Sequence, residues 1–313
     1  MRFIVVGAGL AGLSAAGRLH AAGHEVVVFD KGRGPGGRLA TRRIGAATFD
    51  HGAQFFTVRS EGFASSVAGW IGDGLVFEWC RGFSSPPDGY PRYAVRGGMN
   101  ALAKRLATGL DVRCPSMVFA ISRRVGGWDV MLDDGTHHLC DGLVLTCPVP
   151  QSFGLLVTAE VELPESLMRT DYDRTLCLLA VLDRPSAVPA PGGVQGVPGV
   201  TFAGDNQGKG VSAVPALTVH ADPPWSKEWW DADRSATETA LLELAAPFIG
   251  PAQVVEHQVK RWRFATPRTI WPEPCWVAAG TAPLALAGDA FAGPRVEGAV
   301  LSGLAAADAL LTS

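Results

Sequence analysis

The feature that most constrains the fold of this chain is a glycine turn near its N-terminus, Gly7-x-Gly9-x-x-Gly12. The apolar run 2–6 before it predicts a buried parallel strand, and the Ala- and Leu-rich run 10–22 after it predicts a helix. In such a turn the first glycine permits the bend, the second lets a pyrophosphate approach the backbone, and the third lets helix and strand pack closely. The pattern predicts a dinucleotide-binding unit.

The residues on either side of this helix support the same interpretation. A second strand is predicted over 25–29, and it ends on Asp30, whose carboxylate can accept hydrogen bonds from a ribose hydroxyl group. The helix start at Leu10 and Ala11 offers free N–H groups and a partial positive charge to phosphates. Because strand, turn, helix and terminal acid agree, an ordinary glycine turn without a ligand is disfavoured.

A glycine-rich loop, 31–38, follows Asp30 directly and carries three basic side chains. It can be interpreted as a flexible surface loop or as a cofactor-binding loop, and its position after the ribose-binding acid favours the second. Arg38, after paired glycines, is suited to clamp a pyrophosphate, and Lys31 and Gly37 are expected to contribute to the same contact.

Segment 48–57 mixes aromatic and polar residues around Gly52. Gln54 and the phenylalanines that follow it, beginning with Phe55, can line a flat aromatic ligand. A core strand with a bulge at Gly52 explains the pattern equally well. The spacing leaves both alternatives open.

The C-terminal region returns to nucleotide-binding features. A short apolar strand, 283–287, leads into Gly288 and Asp289, and a helix is predicted over 296–311. Asp289 can hydrogen-bond a polyol chain, and the helix N-terminus at Arg295 and Val296 can stabilise negative charge. A plain NAD-dependent dehydrogenase does not need this second module, whereas a flavoprotein does.

Composition excludes several classes of function. The 313 residues exceed one typical domain, so two interleaved domains are expected. The net charge of −3 gives no general attraction to nucleic acid, and no apolar run approaches the roughly 20 residues of a membrane span. The N-terminus lacks the features of a signal peptide, and the six cysteines show neither CxxC nor metal-ligand spacing. A cytoplasmic protein without a metal site is expected.

Five motifs together resemble the bacterial renalases, which belong to the wider group of FAD-dependent amine oxidases and p-hydroxybenzoate hydroxylase-like flavoproteins. The motifs cover both ends of the chain and the end of its middle region, whereas most of 150–250 carries none of them. They are DKGRGPGGR (30–38), FDHGAQFF (49–56), RGGMN (96–100), KRWRFATP (260–267) and GDAFAGPRVEGAVLSG (288–303).

The resemblance implies an α/β fold. It consists of a Rossmann-type FAD-binding domain of GR2-like, p-hydroxybenzoate hydroxylase topology with an inserted mixed α+β substrate domain. The FAD-binding domain is expected to be discontinuous, over residues 1–80, 95–150 and 272–313. Residues 81–94 and 151–271 are expected to form the substrate domain.

The same resemblance implies non-covalent FAD, since no cysteine lies in the C-terminal loop between Gly288 and Val296. The last helix is expected to point its N-terminus at the pyrimidine edge of the flavin and to stabilise the charge that develops there. Val118 is expected to contact adenine through its backbone. The remaining expected FAD contacts are Gly7, Gly9, Leu10, Ala11, Gly12, Asp30, Lys31, Gly37, Arg38, Asp289 and Arg295.

For the reaction, the resemblance implies oxidation of the 2- and 6-dihydro isomers of NAD(P). The substrate passes hydride to flavin N5 and becomes NAD(P)+, and O2 is reduced to H2O2. Hydride transfer needs two stacked rings rather than a protein acid or base. Trp262 is the candidate wall for these rings, with His51, Gln54 and Phe55 near the flavin, although Trp262 can also be interpreted as a core residue. By strand alternation, Arg261 and Arg263 share the opposite face, and their role stays open.

Three other functions compete with this interpretation. An amine oxidase would cage its substrate between aromatic walls, and the presence of three tyrosines in the whole chain mildly disfavours a tyrosine pair. A monooxygenase would need a nicotinamide site, for which there is no second GxGxxG. A binding protein with purely structural FAD is disfavoured by the helix directed at the flavin ring.

Overall fold

The computed structural model describes residues 1–84, 86–280 and 282–312. Ser85, Thr281 and Ser313, which fall within the expected domain ranges, lie outside the described residues. The helices are α1 (Leu10–Ala21), α2 (Glu61–Gly72), α3 (Asn100–Leu106), α4 (Val149–Thr158), α5 (Glu165–Met168), α6 (Pro223–Glu228), α7 (Arg234–Ile249) and α8 (Val296–Leu311), with one 3-10 turn at Gly37–Leu39.

The strands in the described ranges form five sheets. They are β1 (Arg2–Val6), β2 (Glu25–Phe29), β3 (Thr41–Ile44), β4 (Ala47–Asp50), β5 (Val76–Cys80), β6 (Arg92–Val95), β7 (Asp111–Arg113), β8 (Val118–Arg124), β9 (Gly127–Leu132), β10 (His137–Cys140), β11 (Gly142–Leu145), β12 (Tyr172–Leu182), β13 (Gly193–Val197), β14 (Val200–Asp205), β15 (Ala216–Ala221), β16 (Val254–Pro267), β17 (Trp276–Val277) and β18 (Leu284–Leu286).

The chain divides into two compact units, and unit 1 comprises Met1–Gly37, Leu102–Asp171 and Pro267–Ser313. Its main sheet has the order β17-β18-β11-β1-β2-β7 and is parallel except for β17. Because β1 and β11 are buried along nearly their whole length, they read as continuous apolar runs rather than alternating ones. The three-stranded meander β8-β9-β10 is a separate sheet.

Helices α1 and α8 pack closely in unit 1 because both are rich in small residues. A Cβ added at Gly303 of α8 would lie 2.0 Å from the carbonyl oxygen of Ala11 in α1, a distance that real side chains do not adopt. The two helices therefore approach at backbone distance. This contact fixes the C-terminal helix beside the glycine turn of the same unit.

Unit 2 comprises Arg38–Ala101 and Tyr172–Thr266. Its five-stranded sheet has the order β13-β14-β15-β12-β16. One face of the sheet packs against α6 and α7, where Leu176 and Leu241 are fully buried. The other face packs against the β3–β4 hairpin, which buries Phe49 together with Cys177 and Leu179. A second hairpin, β5–β6, completes the unit.

The α/β class with a Rossmann-type domain is confirmed, including the return of 142–145 to the main parallel sheet. Helices α4 and α5 occupy a region for which no helix was predicted. Residues 38–80 and 95–101, which we assigned to the FAD-binding domain, lie in unit 2. The assignment of domains by function stays a prediction.

Candidate functional site

The three glycines of the N-terminal turn in unit 1 have different neighbours. Gly7 has φ +109°, and a Cβ there would lie 2.5 Å from Thr146 Oγ1, while a Cβ at Gly12 would lie 1.9 Å from the Gly7 carbonyl oxygen. The fold itself therefore requires these two glycines. Gly9 has φ −79°, and its Cβ would meet no protein atom within 4 Å. The open space above Gly9 is what a bound pyrophosphate needs, so the turn fits a dinucleotide.

The N-terminus of α1 is built to face an anion. Its N-cap is Gly9, which has no side chain to cap the free N–H groups of the first turn. Leu10 and Ala11, the first two helical residues, are buried, so their side chains anchor the helix start. The partial positive charge of the helix end is thus left for a ligand.

Asp30 lies at the end of β2 with its carboxylate held from both sides. Ala8 N donates to Oδ2 and Gly32 N donates to Oδ1, each at 2.6 Å. Each carboxylate oxygen has a second lone pair, which leaves it able to accept a bond from a hydroxyl group. Ser116 N also donates to the Asp30 carbonyl oxygen at 2.7 Å, and this bond brings the start of β8, with half-buried Val118, next to the end of β2.

The loop after Asp30 folds back on the glycine turn. Gly36 N donates to Ala8 O at 2.9 Å, and Gly37 has φ +52°, with its Cβ position 3.5 Å from the Gly9 Cα atom. These contacts give the loop a defined position rather than that of a flexible surface loop. Lys31 is exposed within it.

The C-terminal features of unit 1 also come together. Gly288 N donates to Ser302 Oγ at 2.9 Å, which ties the end of β18 to α8. Asp289 is buried, with 8% of its surface exposed. The N-cap of α8 is the exposed Arg295, which makes no side-chain capping bond, and Val296 is the first helical residue. This helix start therefore has no cap from the side chain of its N-cap residue, as in α1.

Sequence reasoning missed Trp271, which lies beside this C-terminal loop. Trp271 N donates to Ala290 O, and Ala292 N donates to Trp271 O. Its indole Nε1 is buried and makes no hydrogen bond within the described part of the chain. Ala292 has φ +59°, an uncommon conformation for a residue other than glycine. The signal was weak, because a single tryptophan between prolines carries no motif.

Arg38 begins unit 2 and is half-buried there. Its Nη1 donates to Ala265 O at 3.5 Å, and its guanidinium lies 5.8 Å from the centre of the Tyr172 ring. Its carbonyl oxygen accepts a bond from Ala53 N, and a Cβ at Gly52 would lie 2.0 Å from that oxygen. Gly52 thus lies after β4 and permits a close approach of two backbone segments, so the alternative of a strand bulge there is wrong.

A buried ion pair fastens the segment after β4. Lys209 Nζ lies 2.8 Å from Asp50 Oδ2, and both side chains are almost fully buried. Asp50 Oδ1 accepts bonds from Thr41 Oγ1 and Met99 N, each at 2.7 Å. Sequence reasoning missed this pair. The acid was visible in the apolar strand 47–50, but Lys209, in a glycine-rich turn, gave no signal.

Gln54 is buried within the same network. Its Nε2 donates to Asp50 O at 2.6 Å, and its backbone carbonyl oxygen accepts a bond from Lys209 Nζ at 3.1 Å. Phe55 lies half-buried in a cluster of aromatic rings, and the centre of its ring is 5.3 Å from the centre of the Phe83 ring. The hydrogen bonds of Gln54 and the ring contacts of Phe55 give both residues structural roles. Their expected role at the ligand stays a prediction.

His51 and Trp262 meet in unit 2 although 211 residues separate them. Trp262 Nε1 donates to His51 O at 2.7 Å, and the two rings stack with their centres 5.3 Å apart. His220 Nε2 also lies 3.0 Å from the same carbonyl oxygen. The His51 Nδ1 atom is buried and has no hydrogen-bond partner among the described residues. The result is a flat aromatic surface with one polar ring atom left for a ligand.

The electrostatics of this site keep the imidazoles neutral. Burial lowers the pKa of His51 to about 4, helped by the charge of Lys260, by His220 when it is protonated and by the charge of Arg42. Burial likewise lowers the pKa of His220 to about 4. At neutral pH both imidazoles are uncharged, so neither can donate a proton as an imidazolium. The permanent charges that act on His51, those of Lys260 and Arg42, are positive.

The expected alternation on β16 is confirmed for Trp262 and Arg261, and the face of Arg263 stays a prediction. Trp262 packs against the β3–β4 side of the sheet. Arg261 instead lies 4.7 Å from the centre of the Trp230 ring, which belongs to the α6–α7 side. Arg263 lies 5.7 Å from the centre of the Phe264 ring.

No group of three side chains suited to hold a metal ion occurs in the ranges that the structure describes.

Comparison with known proteins gives two family matches. Residues 5–66 match the NAD(P)-binding Rossmann-like domain, and residues 60–311 match the flavin containing amine oxidoreductases. A 4,4'-diapophytoene desaturase of Staphylococcus haemolyticus is 48% identical over 52 residues, which is 17% of this chain and 10% of the desaturase. The chain thus matches about a tenth of the length of such curated relatives.

Solved structures show the same fold along the whole chain. A putrescine oxidase solved with bound putrescine has a TM-score of 0.77 at 16% identity, covering 100% of both chains. Cyclohexylamine oxidase from Brevibacterium oxydans has a TM-score of 0.76 at 15% identity, covering 100% of this chain and 99% of the other.

None of the helices in the described ranges is long and apolar enough to cross a lipid bilayer.

Proposed function

The chain belongs to the family of flavin containing amine oxidoreductases, and we propose that within it the protein is an FAD-dependent oxidase of isomeric dihydronicotinamide dinucleotides. Non-covalent FAD is the cofactor that the family and its Rossmann-like domain imply. In the proposed reaction, 2- or 6-dihydro-NAD(P), O2 and a proton give NAD(P)+ and H2O2, as the resemblance to renalases suggests. We place it in the cytoplasm, since the six cysteines are free thiols.

When bound, FAD supplies the acceptor for the substrate's hydride and the donor of two electrons to O2. We assign its phosphates to the start of α1, its ribose to Asp30 and its polyol chain to Asp289. The start of α8 stabilises negative charge through the partial positive charge of the helix N-terminus. The full proposed set comprises Gly7, Gly9, Leu10, Ala11, Gly12, Asp30, Lys31, Gly37, Arg38, Val118, Gly288, Asp289, Arg295 and Val296.

The observation that carries the substrate proposal is the His51–Trp262 stack with its unpartnered Nδ1 atom. A nicotinamide ring is flat and carries a carboxamide, so it can lie against Trp262 and hydrogen-bond His51. A buried ring nitrogen without a partner is uncommon in folded proteins, and a ligand amide would satisfy it. Trp262 and His51 thereby orient the ring, which is the main contribution a protein can make to hydride transfer.

The pKa of His51 agrees with such a reaction. A site that must remove a proton needs a base with a pKa near the working pH, and His51 at about 4 is far below it. Hydride transfer from a dihydronicotinamide requires no such base. We therefore assign His51 to binding and orientation.

An amine oxidase is the second candidate, favoured by the names of the structural neighbours, putrescine oxidase and cyclohexylamine oxidase. At neutral pH an amine arrives as an ammonium ion. The positive charges of Lys260 and Arg42 near His51 disfavour that ion and favour an anionic substrate. Tyr93 and Tyr172 pack against Phe56 and Phe264 respectively, so each is engaged in its own aromatic contact.

The test is reduction of the purified yellow protein without oxygen. We expect 6-dihydro-NAD to bleach the flavin absorption band rapidly, and air to restore the band with formation of H2O2. Putrescine, cyclohexylamine and ordinary NADH are the comparison substrates. Bleaching by an amine but by neither dihydro isomer would replace the proposal with the amine oxidase.

A further inference from the structure

The β3–β4 hairpin places Arg42 on the face that packs against the large sheet of unit 2. In the antiparallel register Arg42 lies opposite Phe49 and Ile44 lies opposite Ala47, so these four side chains share one face. Ile44, Ala47 and Phe49 are buried in a cluster that Trp262 also contacts. The exposed Arg42 continues this face beyond the buried cluster.

Lys260 approaches the same place from the sheet. It lies two residues before Trp262 on β16, so both side chains are on the face that packs against β3–β4. Arg261, between them, lies on the other face against Trp230. Arg42 and Lys260 therefore converge from two elements on the surroundings of the His51–Trp262 stack.

Among the described residues, these two cations have no acidic partner. Neither forms an ion pair with any residue that the structure describes, and Lys260 Nζ donates to the neutral Gln258 Oε1 at 3.0 Å. Burial and then the charge of Arg42 lower the pKa of Lys260. The two positive charges therefore act on each other, and a bound anion would be attracted by both.

We propose that Arg42 and Lys260 form the subsite that binds the diphosphate of the dinucleotide substrate, an inference that rests on the function proposed above. A diphosphate carries two negative charges on neighbouring groups, so it can engage a guanidinium and an ammonium together. The nicotinamide end then reaches the His51–Trp262 stack in the same unit. This subsite selects dinucleotides over neutral dihydronicotinamides and over amines.

The experiment measures binding to the FAD-loaded enzyme by titration calorimetry, so it does not depend on turnover. Three probes separate the parts of the substrate: NAD+, ADP-ribose, which keeps the diphosphate, and nicotinamide riboside, which lacks it. Arg42→Gln and Lys260→Gln are each expected to weaken NAD+ and ADP-ribose about tenfold without weakening nicotinamide riboside. Higher ionic strength should weaken ADP-ribose binding to the wild type more than to the variants.

The chain offers matched controls for both substitutions. Arg43→Gln removes the same charge from the other face of β3, since Arg43 lies opposite Thr48, and Arg261→Gln does so on the other face of β16. Both controls are expected to bind all three probes like the wild type. An equal loss in the controls would reduce the effect to general surface charge and overturn the subsite.

The subsite and the proposed function can fail separately. If 6-dihydro-NAD bleaches the flavin but Arg42→Gln and Lys260→Gln bind ADP-ribose normally, the subsite is wrong and the function stands. If no dihydro isomer bleaches the flavin but both variants lose ADP-ribose binding, the subsite stands as a diphosphate site and the reaction is wrong. A wild-type holoenzyme that binds neither NAD+ nor ADP-ribose would overturn the subsite.

Discussion

At the scale of single residues, the glycine turn separates what the fold requires from what a ligand requires. Gly7 and Gly12 have protein atoms where a Cβ would be, whereas Gly9 has open space. A sequence motif does not distinguish these cases, because it records three equal glycines. Of the three, Gly9 alone has no protein atom in the place of its Cβ, so we propose that it is the glycine required by the cofactor.

This difference predicts opposite outcomes for two alanine substitutions. Gly12→Ala should unfold or strongly destabilise the apoprotein, because its Cβ would lie 1.9 Å from a carbonyl oxygen. Gly9→Ala should change the free energy of unfolding of the apoprotein by less than about 1 kcal/mol yet weaken FAD binding at least tenfold. Thermal unfolding of apoprotein and fluorescence titration with FAD measure the two effects.

The control for both substitutions lies on the same helix. A Cβ at Gly17 of α1 meets nothing within 4 Å, so Gly17→Ala should stabilise the helix by about 0.5–1 kcal/mol and leave FAD binding unchanged. Normal FAD affinity in Gly9→Ala would show that the space above Gly9 does not belong to the cofactor.

The role of Trp262 can be tested with a substitution that keeps an aromatic side chain. Trp262→Phe keeps an aromatic surface but loses the Nε1–H bond to His51 O at 2.7 Å, which is worth about 1 kcal/mol for an ordinary bond. In Trp262→Phe we expect the rate of flavin bleaching by the dihydronicotinamide to fall about five- to tenfold. In Trp262→Leu, which loses the stack, we expect this rate to fall further. Stopped-flow absorbance without oxygen gives the rate. Trp230→Phe, on the other face of the sheet, should be neutral, and equal effects at both positions would contradict a role in ring orientation.

At the scale of elements, unit 2 is held together by a polar contact inside an apolar interior. Asp50 ends β4, and Lys209 comes from the turn between β14 and β15. Their pairing fixes the segment that carries His51 and Gln54 onto the large sheet. A buried ion pair adds little stability by itself, but a lone buried charge is costly.

Breaking this pair should therefore destabilise the protein strongly. Lys209→Met leaves the Asp50 carboxylate buried without its counter-ion, which costs about 3–5 kcal/mol and corresponds to a fall in Tm of about 10 °C. Adding Asp50→Asn to Lys209→Met removes the orphaned charge and should restore part of that loss. Differential scanning calorimetry measures both, with Lys227→Met on the exposed side of α6 as the control. A Tm within about 2 °C of wild type for Lys209→Met would show that water reaches the carboxylate.

The elements also show what sequence can and cannot predict. Strands β1 and β2 and helix α8 have the predicted bounds, because apolar periodicity, glycine and capping positions are local signals. Helix α4 was missed, although its buried residues Val149, Ser152, Leu155 and Leu156 follow helical spacing. Two prolines lie at its start, where proline is tolerated because the first helical turn does not need its missing N–H group.

In the candidate site, too, some features could be predicted from the sequence and others could not. The glycine turn and Asp30 could be predicted, because a single βαβ unit of the chain contains them. The contact of Trp262 with His51, 211 residues away, and the pairing of Lys209 with Asp50 depend on which strands become neighbours. No local pattern encodes that, so the sequence indicated candidate residues without their partners.

At the scale of the whole molecule, two buried histidines tie stability to pH. His51 and His220 have a pKa lowered to about 4 by burial, whereas both regain a pKa near 6.5 when the chain unfolds. Below 6.5 the unfolded chain therefore binds protons that the folded protein does not. Stability is complete above pH 6.5 and is lost as the pH falls from 6.5 toward 4.

At pH 5 the expected loss is about 2 kcal/mol for each of the two histidines. Urea unfolding at half-unit steps between pH 7.5 and 4.5 measures it. His220→Gln keeps a side-chain N–H that can reach His51 O and should remove about half of the slope, whereas His20→Gln, exposed on α1, should leave it unchanged. Carboxylates with a lowered pKa, such as Asp111, lose their contribution below about pH 4, so they do not account for a slope in this window. A flat stability between pH 7 and 5 would mean that both imidazoles keep their ordinary pKa in the folded protein, which would contradict the lowered pKa of His51 used in the substrate proposal.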